Sequence, residues 1–186
     1  MNINTDLFKE DGENEELKQN QALNNENHTI FNEQKTKNTK EFEDALQELK
    51  LTEEELYEKL IELIDNETIV LDYKVFNKIN FAVETPMPYH FEVYFQTLED
   101  FANLNVSTFE LKLNVTNVAL VLTKYKQHTF TLPKTKEEML EKIKWIEEHI
   151  PTSIFYHISI KASFVRKLLF VLGHERIYTL LGKHLG

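Results

Sequence analysis

Charge is distributed unevenly along this chain of 186 residues, and this division limits which parts can fold. Residues 1–58 hold 16 acidic residues and six lysines, so they carry the whole net charge of −10. Residues 1–40 also contain only two aromatic side chains, Phe8 and Phe31. Such a segment buries too little apolar surface to offset a chain entropy of about 1–2 kcal/mol per residue. We therefore expect residues 1–38 to be a disordered acidic tail.

Three interpretations of this tail remain open. It can be a solvating segment of biased composition, or an arm that docks on a partner through the apolar clusters Leu7-Phe8 and Ile30-Phe31. It can also mimic nucleic acid, although a mimic needs a rigid lattice of charges that this composition does not favour.

The composition excludes several kinds of chemistry. With no cysteine, the chain has no disulfides, thiolate nucleophiles or cysteine-ligated metal sites. Its four glycines do not form a nucleotide-binding fingerprint, a P-loop or a nucleophile elbow. The seven histidines stand at no standard ligand spacing, and runs such as Glu137-Glu138 fit helix capping. We expect a protein that is not an enzyme, with no catalytic residue, cofactor or metal.

Residues 39–66 are predicted to be a helical segment. Phe42, Leu46 and Leu49 share one helix face. Thr52 with Glu55 is a capping box, which predicts that a second helix begins at Glu53.

Residues 67–186 are predicted to form an α+β domain with a small antiparallel sheet and a mostly helical C-terminal half. Apolar runs predict strands over 69–76, 79–83 and 91–95, the last because Phe91, Val93 and Phe95 alternate with polar residues. Residues 107–126 fit both a strand and a helix, and their length favours a helix.

The last third is predicted to be helical. Thr135 with Glu138 is a capping box, and Pro151 suits the start of the next helix. That helix carries a broad apolar stripe, which comprises Ile154, Ile158, Ala162, Val165, Leu168, Leu169 and Leu172. Basic residues interrupt it, so we expect no membrane span.

Further aromatic residues on this helix lie beside the stripe. A helix that is apolar nearly all round is either fully buried or binds a partner. The candidate interface, for another protein or for self-association, comprises Phe155, Phe164, Leu168 and Phe170.

Residues 142–186 are mildly basic, with seven Lys or Arg residues and three Glu. This face permits an alternative function, that of a small regulatory or nucleic-acid-associated protein. The charges alternate with core positions instead of forming one stripe, so nucleic acid is not the partner we expect.

The order of motifs resembles a known family over about residues 90–170. Residues 91–98 read Phe-Glu-Val-Tyr-Phe-Gln-Thr-Leu, and 119–122 read Ala-Leu-Val-Leu. Leu132-Pro133 follows, then Ile146–Pro151 and Ile154–Ile158. This order is similar to that of the tail and baseplate assembly chaperones of large tailed bacteriophages. The resemblance implies a non-enzymatic protein whose partners are tail or baseplate proteins. Two alternatives stay open: it holds such a component in an assembly-competent state in the host cytoplasm, or it ends up inside the virion.

Overall fold

The computed structural model describes residues 36–182 of the chain. The acidic tail predicted for residues 1–38 lies outside the described residues, except for 36–38, which are helical. The chain divides into two compact units, Met1–Asp44 and Ala45–Gly186, and this boundary falls inside the predicted segment 39–66. Seven helices and one four-stranded sheet occupy the described residues, which confirms the α+β class.

The second helix begins where its capping box places it. Residues 36–49 are helical and form α1, and α2 spans Glu53–Asn66. The predicted capping box is present: the Glu55 amide donates to Thr52 Oγ1 at 3.2 Å, and the Thr52 amide donates to Glu55 Oε2 at 2.8 Å. Both amides would otherwise lack a partner within the helix.

The sheet is antiparallel and runs β1-β2-β3-β4 in chain order. A hairpin joins β1 (Val70–Val75) to β2 (Ile79–Glu84), as predicted. At its turn the Lys78 amide donates to the Val75 carbonyl at 3.0 Å, and the two residues between them, Phe76 and Asn77, have φ of 50° and 54°. Two positive φ angles match the right-handed twist of the strands, as in a type I′ turn.

A second hairpin completes the sheet with β3 (Leu122–Tyr125) and β4 (His128–Thr129). Phe81 of β2 pairs with Tyr125 of β3. The turn residue Lys126 has a φ of 54°, and its amide donates to the Asn80 carbonyl at 2.7 Å. This bond ties the second turn to β2.

The strand predicted over residues 91–95 is wrong, because these residues belong to α3 (Pro88–Phe101). Pro88 suits the first helical position, and the Met87 amide donates to His90 Nδ1 at 2.9 Å. The buried side chains follow helical spacing at His90, Val93, Tyr94 and Thr97. Phe95, which completed the apparent alternation, is 60% exposed.

The helix predicted over 107–126 is confirmed as far as Val121 and wrong after it, because residues 122–125 form a strand. Helix α4 spans Val106–Val121, and β3 follows without a linker at Leu122. The last turns of α4 are buried all round, because this helix contacts α3, α5 and α6. Complete burial explains why no amphipathic period is visible there.

The C-terminal half is helical, as predicted. Helix α5 spans Lys136–His149, α6 spans Thr152–Gly173 and α7 spans Arg176–Leu180. Helix α6 packs on α4 and on β2, which places it beside the first hairpin. Asn117 of α4 joins two other helices, since its Oδ1 accepts from Tyr94 at 3.0 Å and from Arg166 at 2.8 Å. Among the described helices, none has the length and hydropathy that a membrane crossing requires.

Candidate protein-binding groove

A groove of about 470 Å³ lies between the first hairpin and α6, and is called here the hairpin–α6 groove. Three of its lining residues come from α6, namely His157, Ile160 and Lys161, and five come from the first hairpin, namely Tyr73, Lys74, Val75, Phe76 and Phe81. None of the residues that line it carries a carboxylate. The groove therefore combines apolar walls with a cationic rim.

Phe76 is the most unusual residue of the groove. Its side chain is 67% exposed at the tip of the turn, and its ring meets His157 edge-to-face at a centroid distance of 5.2 Å. A φ of 50° is disfavoured for a bulky side chain. Residues held in such conformations cost about 1–3 kcal/mol each and cluster at functional sites.

The α6 wall presents apolar and basic side chains together. Ile160 is 48% exposed, and Tyr156, one helical turn before it, is also exposed. The Lys161 ammonium lies 4.8 Å from the Tyr73 ring centroid, close enough for a cation–π interaction. This interaction holds the positive charge at the edge of the apolar surface.

The four residues of the predicted interface differ from one another in burial. Phe164 is half-buried near Lys161 and so flanks the groove, whereas Phe155 packs against the core. Phe170 is 38% exposed on the last turns of α6, where its ring meets His174. Leu168 has no exposed surface, so it belongs to the core and cannot contact a partner without rearrangement.

The interface predicted from the sequence did not include Phe76 and Ile160, which line the groove. A signal for Ile160 was present, because Tyr156, Ile160 and Phe164 recur at i, i+4 and i+8, away from the buried stripe. Phe76 carried no such signal, since its position opposite α6 depends on tertiary packing.

Several of the basic residues that the structure describes in the C-terminal half make contacts within the protein. Lys144 lies 3.9 Å from Glu148, and Lys167 forms an ion pair with Glu48. Arg166 donates to Asn117, as described above. The basic C-terminal face that the sequence suggested is therefore divided among separate contacts.

Lys142 is a buried cation of this region, with 6% of its surface exposed. Its ammonium donates to the Thr131 carbonyl at 3.1 Å and lies 5.2 Å from the Phe130 ring centroid. Burial lowers the pKa of Lys142 to about 7, although the charge of Glu84 opposes this shift.

Residues 36–182 contain no group of three or more His, Asp or Glu side chains that could hold a metal ion. Comparison of the chain with protein-family models, curated proteins and solved structures gives no significant match. The resemblance to phage assembly chaperones therefore stays a prediction from the residues that carry it.

Proposed function

We propose that this chain is a non-enzymatic assembly protein that binds an acidic segment of another protein in the hairpin–α6 groove. Following the resemblance, we further propose that its partner is a bacteriophage tail or baseplate protein. On this proposal, binding takes place in the host cytoplasm during assembly.

The conformation and exposure of Phe76 carry this proposal. A small polar residue would satisfy the same turn, because Asn adopts positive φ readily and needs no burial. Phe76 instead exposes two thirds of its side chain in a disfavoured conformation. A role in binding explains both features, since aromatic side chains supply much of the energy of protein interfaces.

The charges of the groove support an acidic partner. Lys74 and Lys161 line it, and no lining carboxylate neutralises them. Apolar side chains of the partner would contact Phe76 and Ile160, while its carboxylates would face the two lysines.

The proposal is tested by recovering the tagged full-length chain from infected cells and identifying its partners by mass spectrometry. We expect tail or baseplate proteins to be recovered with the wild-type chain. Phe76→Asn and Ile160→Glu should each reduce that recovery about tenfold or more, because a buried interface side chain contributes more than about 1.4 kcal/mol.

Leu111→Glu is the matched control. Leu111 is an exposed apolar residue of helix α4 and does not line the groove, so its substitution should leave recovery unchanged. Two outcomes would overturn the proposal. One is recovery of no virion protein, and the other is a wild-type dimer in sedimentation experiments that Ile160→Glu dissociates, which would assign the groove to a second copy of the chain.

A further inference from the structure

A second opening, called here the aromatic cleft, lies between the tips of the two hairpins and α5, with a volume of about 610 Å³. Lys78 and Asn80 of the first hairpin line it, as do Lys126 and His128 of the second. Trp145 and His149 contribute the α5 wall. Pockets that bind small ligands have volumes of this order, about 300–1,000 Å³.

Ring stacking gives the aromatic cleft a preformed wall. The indole of Trp145 stacks on His149 at a centroid distance of 4.6 Å with 8° between the planes, and on His128 at 4.5 Å with 21°. His149 is further fixed because its Nδ1–H donates to the Trp145 carbonyl at 2.9 Å. Phe130 and Tyr125 meet the indole edge-on, so this wall is held in place from several sides.

The charge of the aromatic cleft is opposite to that of the chain. Two lysines and two histidines line it, without a carboxylate, although the chain carries a net charge of −10. The acidic residues near the end of α5 are engaged elsewhere, since Glu147 pairs with Lys112 at 2.6 Å and Glu148 lies 3.9 Å from Lys144. Glu138 and Glu141 line a neighbouring hollow that shares Trp145 and His128 with the cleft.

Polar groups with hydrogen-bonding capacity complete the cleft. The side-chain amides of Asn80 and Gln127 line it. Tyr125 also lines it, and its buried hydroxyl has no hydrogen-bond partner among the described residues.

From this combination we infer that the aromatic cleft binds a nucleotide phosphate, with the base against the aromatic wall and the phosphate at Lys78 and Lys126. Histidine and tryptophan rings are surfaces on which nucleobases stack. Exposed lysines at the tips of two turns provide the positive charge that phosphates require. The same chemistry is offered by a free mononucleotide and by single-stranded nucleic acid.

The site differs from the groove of the proposed function and does not depend on it. The first hairpin contributes different residues to each, since Lys74 and Phe76 line the groove, whereas Lys78 and Asn80 line the aromatic cleft. Loss of partner binding in the groove variants would leave this inference intact.

The test uses the full-length chain, with ATP, the oligonucleotide dT12 and inorganic tripolyphosphate as separate probes at low salt. Trp145 is the only tryptophan of the chain, so its fluorescence reports directly on the aromatic wall. We expect dT12 or ATP to change this fluorescence, and Lys126→Glu to weaken that binding about tenfold or more.

Lys50→Glu is the matched control, because Lys50 is also exposed, has the same φ of 54° and does not line the cleft. The affinity of the Lys50→Glu variant for ATP and dT12 should stay within about twofold of the wild type, since only the overall charge changes. Binding of both ATP and dT12 identifies a nucleotide site, and binding of dT12 without ATP identifies single-stranded nucleic acid as the ligand.

Three outcomes would overturn the inference. The first is that neither ATP nor dT12 binds. The second is that tripolyphosphate binds as tightly as ATP without any fluorescence change, because stacking would then contribute nothing. The third is that Lys50→Glu weakens binding as much as Lys126→Glu, since the attraction would then be nonspecific.

Discussion

The hairpin–α6 groove and the aromatic cleft both receive lysines from the first hairpin, yet they differ in how their rings are held. In the groove, Phe76 stands exposed on a disfavoured backbone and contacts His157 only by an edge. In the aromatic cleft, the Trp145 ring is already stacked on His149, whose Nδ1–H donates to the Trp145 carbonyl. The groove therefore offers apolar surface that a partner can cover, whereas the cleft offers a preformed charged site.

Two lysines that lie over aromatic rings near the openings differ in burial. Lys161 lies over the Tyr73 ring at the groove, and Lys142 lies over the Phe130 ring behind the aromatic wall. The first retains solvent contact, whereas the second is buried and its pKa falls to about 7. Contact with an aromatic ring therefore does not offset the cost of desolvating Lys142, because water is excluded from that site.

The largest expected effect comes from Lys142→Met. This change removes a buried charge while it keeps the length of the side chain, so the free energy of unfolding at pH 6 should rise by about 1–4 kcal/mol. Lys161→Met, its matched control, should change the free energy by less than about 1 kcal/mol, because that cation is not fully desolvated. Urea denaturation of both variants measures the difference.

The effect of Lys142→Met should depend on pH in a defined direction. The folded protein loses the Lys142 proton near pH 7, whereas the unfolded chain keeps it up to about pH 10.5. Between these values the unfolded state binds more protons, so this lysine makes the wild-type protein more stable as the pH rises. The advantage of the Met variant should therefore be greatest below pH 7 and shrink towards pH 10. A constant advantage would contradict a buried, titrating ammonium.

The next-largest expected effect is a difference between the two openings in the salt dependence of binding. If Lys78 and Lys126 each contact one phosphate, the affinity for dT12 should fall about sevenfold between 50 and 200 mM NaCl, from a log–log slope of roughly −1.4. The groove also has two lysines, but the carboxylates of a protein partner release no condensed counterions and Phe76 and Ile160 add apolar contacts, so retention of the partner should change less. Titrations with dT12 and pull-downs at both concentrations provide the comparison. Equal salt dependence would remove the distinction between the openings.

The sequence predicted correctly those helices that have a capping residue at their start or a regular apolar spacing along their length. The capping residues Thr52 and Thr135 lie where α2 and α5 begin, and the stripe of α6 is buried as its spacing indicated. The alternation at residues 91–95 led to a wrong prediction of a strand, because three apolar side chains fit period two over a short window. These residues instead follow Pro88, which begins α3, and the buried His90. At α4, burial on every side erased the period, so its junction with β3 was not visible.

Neither opening could be predicted from the sequence, because each joins residues distant along the chain. Phe76 faces His157 only because α6 packs on β2. Lys78 and Asn80 share a cleft with Trp145 and His149 only because β3 pairs with β2 and carries the second turn there. The interface predicted on α6 included Leu168, which the structure buries, and omitted Ile160, which lines the groove.

The smallest expected effect concerns the two strained turn residues. Phe76→Asn and Lys126→Asn each place a residue that tolerates positive φ in a conformation near 50°. Each should leave the free energy of unfolding unchanged or raise it by about 0.5 kcal/mol, because relief of strain offsets the lost ring contacts. Thermal denaturation measures both. Phe76→Asn should then lose only the protein partner, and Lys126→Asn only the affinity for dT12. A drop in stability of more than about 1 kcal/mol for Phe76→Asn would mean that the ring stabilises the fold, and its exposure would no longer argue for binding.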